Sequence, residues 1–114
     1  MSLLRRRGAA GKGPVAQEPA EESLLASCVA IAGAPARRRI RVHGQIVRMR
    51  ARPISGVPAL SITISDDTGS VTAIWTGRRA IGGVSLGRHL VIEGVGCRVG
   101  DRLEFTNPTY TLLP

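Results

Sequence analysis

Leu60-Ser61-Ile62-Thr63-Ile64-Ser65, then Asp66-Asp67-Thr68-Gly69, then Val71-Thr72-Ala73-Ile74-Trp75-Thr76: this stretch decides the fold. Apolar and hydroxyl side chains alternate with a period of two on both sides of a polar tetrapeptide. Period two places one set on each face of a pleated strand. Leu60, Ile62, Ile64, Val71, Ala73 and Trp75 form the expected core row. Ser61, Thr63, Ser65, Thr72 and Thr76 form the outer row. Between them Asp caps a turn and Gly supplies positive φ. The stretch reads as a β-hairpin.

The same period extends upstream. Ile40, Val42 and Ile46 alternate with Arg41, His43 and Gln45, and Gly44 interrupts the apolar row where a strand coils sharply. Met49 to Pro58, with Arg50, Arg52, Pro53, Gly56 and Pro58, reads as a loop. Downstream, Gly77 to Gly87 reads as a connector with one helical turn around Arg79 to Ile81. His89 to Val95 is a fourth strand. Leu103 to Thr111 is a fifth, after a turn at Gly100-Asp101. Ahead of the strands, Pro19 to Ala32 has helical spacing, with Leu24, Leu25, Cys28, Val29 and Ala32 on one face and Gly33 and Pro35 as the stop. Residues 1–18, with Arg5-Arg6-Arg7, read as a flexible basic arm. The expected organisation is therefore arm (1–18), helix and linker (19–36), and an all-β domain (37–114). Five short antiparallel strands with interior Gly44 and Gly94 fit a small closed barrel, which leaves fewer exposed edges than a flat sheet.

Composition narrows the function classes. The chain has 114 residues and a net charge of +8, from 16 basic and 8 acidic residues. All the basic residues but Lys12 are arginine, whose planar fork suits phosphate better than a lysine point charge. Residues 37–114 hold 12 of the basic and 5 of the acidic residues, so the excess sits on the expected barrel. A polyanion partner is the first expectation. No apolar run approaches the ~20 residues of a membrane span, and the acidic Glu18, Glu21 and Glu22 separate the basic start from the best apolar stretch, against a signal peptide. Cys28 and Cys97 form neither a metal spacing nor a disulfide framework, which suits reduced thiols in a cytoplasmic protein. His43 and His89 lie far apart in sequence with no third ligand, so no metal and no cofactor are expected.

At this point the residues resemble a family. Val42-His43-Gly44-Gln45-Ile46, Asp67-Thr68-Gly69-Ser70-Val71, Gly87-Arg88-His89-Leu90-Val91-Ile92-Glu93-Gly94 and Asn107-Pro108-Thr109-Tyr110 together are similar to the OB-fold. They resemble anticodon-binding OB domains, the wedge domain of the RecG helicase, and small stand-alone bacterial OB-fold nucleic-acid-binding proteins. The resemblance covers about residues 39–112 and implies a five-stranded OB barrel that binds nucleic acid on strands two and three, between the first loop and the last hairpin loop. This chain departs from many such domains in having three aromatics, Trp75, Phe105 and Tyr110, where base stacking usually needs several.

The candidate residues follow. Arg48, Arg50 and Arg52 are expected on one side of the groove, and Arg98 and Arg102 on the other. Arg78 and Arg79 would extend the track beside Trp75. Trp75 has two readings, core packing by its parity with Val71 and Ala73, or a stacking platform at the rim. The ligand would be single-stranded or junction DNA, or RNA, held with low sequence specificity and without catalysis. The alternatives are a solvated arginine-rich surface and an adaptor docking an acidic protein partner. Asp67-Thr68-Gly69 also spells the aspartic-protease triplet, which in a dimer could pair two carboxylates; between two strands the same residues are ordinary turn chemistry.

Overall fold

The computed structural model describes residues 17–114, so Arg5-Arg6-Arg7 and nearly all of the expected arm lie outside the described residues. One helix precedes six strands: α1 (Gln17–Ala26), β1 (Arg39–Ala51), β2 (Ala59–Ser65), β3 (Ser70–Thr76), β4 (His89–Val99), β5 (Arg102–Thr106) and β6 (Thr109–Leu112). Among the described residues no helix is long and apolar enough to cross a membrane.

The sheet closes on itself. β1 pairs with β2, β2 with β3, β3 with β5, β5 with β4, and β4 with the first half of β1. Met49 leads through Ile62, Ala73 and Phe105 to Gly96, whose neighbour Val95 faces Arg39. The ring thus re-enters β1 about ten residues earlier, the stagger that tilted strands need in order to close. This closed five-stranded sheet is compatible with an OB-type fold. One pair departs from the expected antiparallel pattern: β3 and β5 run parallel. The long connector and the β4 hairpin bring β5 back beside β3 in the same direction.

Gly44 lies where β1 turns from β4 towards β2. A Cβ there would stand 2.9 Å from the backbone nitrogen and oxygen of Ser65, so only glycine lets the two strands approach this closely. Just beyond it, the register shifts between Ile46 and Arg48, leaving Val47 as the extra residue of a bulge. The bulge moves the inward parity from Ile46 to Met49. Strand β1 therefore continues to Ala51 where a loop from Met49 was expected. The core row is the one read from the hairpin: Leu60, Ile62, Ile64, Val71, Ala73 and Trp75 are buried together with Val42, Ile46, Leu90, Ile92, Leu103 and Phe105.

Four other boundaries differ from expectation. Strand β4 runs to Val99, four residues past the expected Val95. The helix stops at Ala26, six residues before Ala32, because the backbone finds a better partner: the Val29 N–H donates to the Arg41 carbonyl at 2.8 Å. Of the face expected to pack, Leu24 and Cys28 are half-buried, while Leu25, Val29 and Ala32 are exposed. A separate 3-10 turn, Ile31–Gly33, supplies the buried contacts instead, through Ile31 and Ala34. It is pinned to the β2–β3 turn. The Ile31 N–H donates to the Asp66 carboxylate at 3.0 Å, and the Ala32 N–H to the Thr68 hydroxyl at 2.9 Å. Partial burial would raise the Asp66 pKa, but bonds from the Thr68 hydroxyl and the N–H groups of Ile31, Thr68 and Gly69 outweigh it and hold the carboxyl at about 2.

The expected fifth strand is two. Asn107, at φ 51, and Pro108 break it after Thr106, and β6 folds back onto β4. Proline has no N–H to continue the ladder. In the connector, Ile81 and Val84 are buried and joined by a turn bond from Val84 N–H to the Ile81 carbonyl, with no helical turn at Arg79 to Ile81.

Candidate nucleic-acid interface

Partners across a ladder share a face. Arg48 pairs with Thr63, Thr63 with Thr72, and Thr72 with Glu104; one step along, Arg50 pairs with Ser61, and Ser61 with Ile74. These residues stand opposite the core row, on the outer face of β1, β2, β3 and β5. Arg48 and Arg50 are exposed, and among the described residues neither has an ion pair. Thr72 is buried on this face despite its outward parity, with its hydroxyl 3.4 Å from that of Thr63. Glu104 stands half-buried in the same row, so the face is not uniformly basic.

The β1–β2 connection is an ordered arm rather than a loose loop. Arg52 N–H donates to the Ala59 carbonyl, and Ile54 and Val57 exchange both backbone bonds. Ser55 (φ 51) and Gly56 (φ 81) form the two-residue tip, both left-handed as a hairpin turn of this hand requires. Arg48, Arg50 and Arg52 thus occupy alternate positions on one side of a continuous ribbon, about 6.7 Å apart along it.

The start of the β3–β4 connector is tied to the base of this arm. The Gly77 N–H donates to the Pro58 carbonyl at 2.6 Å. Between arm and connector lies an open cleft of about 350 Å³ lined by Ala51, Arg52, Pro53, Gly56, Pro58, Ala59 and Arg79. Arg52 and Arg79, 27 positions apart in sequence, face one cavity. The β2–β3 register, with Ala59 opposite Thr76, and the Gly77–Pro58 bond bring the two segments together.

The other candidate residues fall elsewhere. Arg78 is exposed just after β3. Arg102 is exposed at the start of β5, two residues before Glu104 and so on the same outer side. Arg98 pairs with inward-facing Leu103, and its guanidinium reaches 3.4 Å from the Ala34 carbonyl beside the 3-10 turn. It therefore points to the 3-10 turn and does not lie beside Arg102 on the outer face. Trp75 is only 4% exposed; its indole N–H donates to the Pro108 carbonyl and its ring meets Tyr110 edge-on. Of the two readings of Trp75, the buried indole fits core packing and rules out a stacking platform at the rim. Phe105 is also buried, so the outer face of β2 and β3 carries no aromatic ring.

On the opposite side one acid, Glu93, engages two of the arginines. Arg39 and Arg41 both pair with Glu93, at 3.1 and 2.8 Å, and Arg41 also donates to the Ser27 hydroxyl. The Arg41 hydrogen bond, with Arg39 behind it, holds the Glu93 carboxyl below its ordinary value. Arg88 is spent on the carbonyls of Gly83 and Leu113.

His43 and His89, distant in sequence, meet through the β1–β4 register. Their rings stack at 5.1 Å with Nε2 and Nδ1 3.1 Å apart, and burial together with His89 lowers the His43 pKa. Among the described residues no cluster of three or more His, Cys, Asp or Glu is placed to hold a metal. Asp67-Thr68-Gly69 forms the exposed β2–β3 turn, and its threonine hydroxyl is engaged with Asp66 and Ala32.

No protein-family model and no curated protein matches the chain. Among solved structures, its fold is similar to that of a chain in the crystal structure of yeast Stn1 and Ten1, with a TM-score of 0.52 and 16% identity over 67% of this chain. The match spans 43% of that chain, less than half its length. The likeness is one of fold.

Proposed function

We propose that this chain binds nucleic acid as an OB-type module, taking single-stranded or junction DNA, or RNA, with low sequence specificity and without catalysis. The observation that carries the reading is the arginine row Arg48, Arg50 and Arg52, without an ion pair among the described residues, of which Arg48 and Arg50 stand beside the hydroxyls of Thr63 and Ser61. Arginine and hydroxyl donors are the groups that hold phosphate oxygens. Arg79 and Arg78 extend the row beyond the arm, and Arg102 stands across β3. The similarity of fold to a chain from the yeast Stn1 and Ten1 structure is in keeping with this reading. With no exposed aromatic on the face, affinity rests on phosphates, and guanidinium planes are the groups left to stack on bases.

The test is fluorescence anisotropy with labelled single-stranded DNA, duplex DNA and RNA across a salt series. If about five phosphates are neutralised, log K falls against log salt with a slope of roughly −3.5 on single strands. Equal weak binding to every polyanion, heparin included, would sink the reading and point to an acidic protein partner.

A further inference from the structure

The cleft between the β1–β2 arm and the β3–β4 connector differs from the rest of the basic face. The outer strand face is open, whereas this cleft is a concavity of about 350 Å³, near the lower end of the range for small-ligand sites. Its walls divide by chemistry. Arg52 and Arg79 are the two cationic residues of its lining, and among the described residues neither makes an ion pair or a side-chain hydrogen bond. The remaining lining, Ala51, Pro53, Gly56, Pro58 and Ala59, is apolar and contains no carboxylate. The walls are also braced, by the Arg52–Ala59 and Ile54–Val57 bonds on one side and the Gly77–Pro58 bond on the other.

We propose that this cleft is a subsite for a phosphorylated strand end, with the terminal phosphate between Arg52 and Arg79 and its sugar and base against Pro53, Pro58 and Ala51. The inference rests on the nucleic-acid reading above and adds to it a preference for chain ends. Two unpaired monovalent cations facing one cavity match a phosphomonoester, which carries about −1.5 to −2 at neutral pH, better than the single charge of an internal diester. Arginine forks take such a group bidentately. The flat proline faces suit a sugar or base ring without demanding a particular sequence. A cavity of this volume has room for one nucleotide, not a run of them.

The experiment is competition anisotropy with one short single strand, labelled internally, bearing a 5′-phosphate, a 3′-phosphate or only hydroxyl ends. The full chain runs beside Arg52→Ala, Arg79→Ala, Arg79→Lys and Arg48→Ala. The expected result is binding about tenfold tighter for one phosphorylated end. That preference disappears in Arg52→Ala and Arg79→Ala, weakens in Arg79→Lys, and survives in Arg48→Ala even as overall affinity falls. Tight binding with no end preference, or a preference that persists in both cleft variants, would overturn the subsite while leaving the wider reading intact. In parallel, adenosine 5′-monophosphate and adenosine are titrated by NMR. Shifts at Ala59 and Gly56 with the monophosphate and not with adenosine, in a chain that binds no strand, would overturn the strand-end assignment and the strand-binding reading together and leave a mononucleotide site. No shift and no strand binding would remove both.

Discussion

Strand β1 carries the same motif twice, Arg-x-Arg at 39–41 and again at 48–50, and the two copies meet opposite fates. The first half runs beside β4, where Glu93 takes both guanidinium groups. The second half runs beside β2, where the facing residues are Ser61 and Thr63, and both guanidinium groups are left unmatched by any acid among the described residues. Arginine count is therefore a poor guide to a binding face. What separates a structural arginine from an available one is the residue that the neighbouring strand presents, and that is set by register.

The comparison can be broken at its hinge first. Gly44→Ala puts a methyl group against the Ser65 backbone at the corner between the halves, and should cost about 3 kcal/mol, seen as a fall in melting temperature of roughly 15 °C. An unchanged melting curve would mean that the two halves do not depend on this close approach. Next, Arg48→Ala with Arg50→Ala should weaken single-strand binding about tenfold or more and make the salt slope shallower by about 1.4. The matching pair, Arg39→Ala with Arg41→Ala, should leave the slope nearly unchanged. If the two double variants behave alike, register is not what selects the face. Removing the acid on the binding side sharpens the contrast: Glu104→Gln should tighten binding about threefold by lifting a like charge from the phosphate path.

The smallest effect concerns pH. Glu93 has its pKa lowered by Arg41 and Arg39, so its pairing stabilises the fold above the ordinary glutamate value and is lost as pH falls below it. Because the pair is partly exposed, the loss should stay under about 1 kcal/mol. Acid titration of Glu93→Gln followed by thermal melting should show a correspondingly flatter approach to pH 4. A larger change would mean that Glu93 supports more than its two arginines.

The hairpin at the centre of the fold was legible because nothing interrupts its period. Leu60 to Ser65 and Val71 to Thr76 show their buried rows directly, and Trp75 follows its parity into the core. Legibility failed where the period is locally broken for a structural reason. The bulge at Val47 shifts inward parity by one, so the end of β1 reads as a loop, although the OB resemblance already marks Arg48 and Arg50 as groove candidates. Helix α1 ended early because a strand carbonyl at Arg41 competed for the backbone of Val29, a contact with no local signature. Asn107-Pro108 splits what the apolar pattern presents as one strand, Leu103 to Thr111, because a proline N–H is missing from the ladder. The placing of Arg52 and Arg79 on one cleft depends on how the β1–β2 arm lies against the β3–β4 connector, and the stacking of His43 on His89 on the β1–β4 register, neither of which a local period states.

The single tryptophan has a practical consequence. Trp75 is sealed in the core, with its N–H committed to the Pro108 carbonyl at the corner where β5 gives way to β6. Its emission should be blue-shifted in the native chain and insensitive to ligands on the far side of the sheet. It should redden as soon as the C-terminal strand peels from β4. The molecule therefore contains its own optical gauge of whether its last strand is docked, one that can be read during a binding titration without responding to the binding itself.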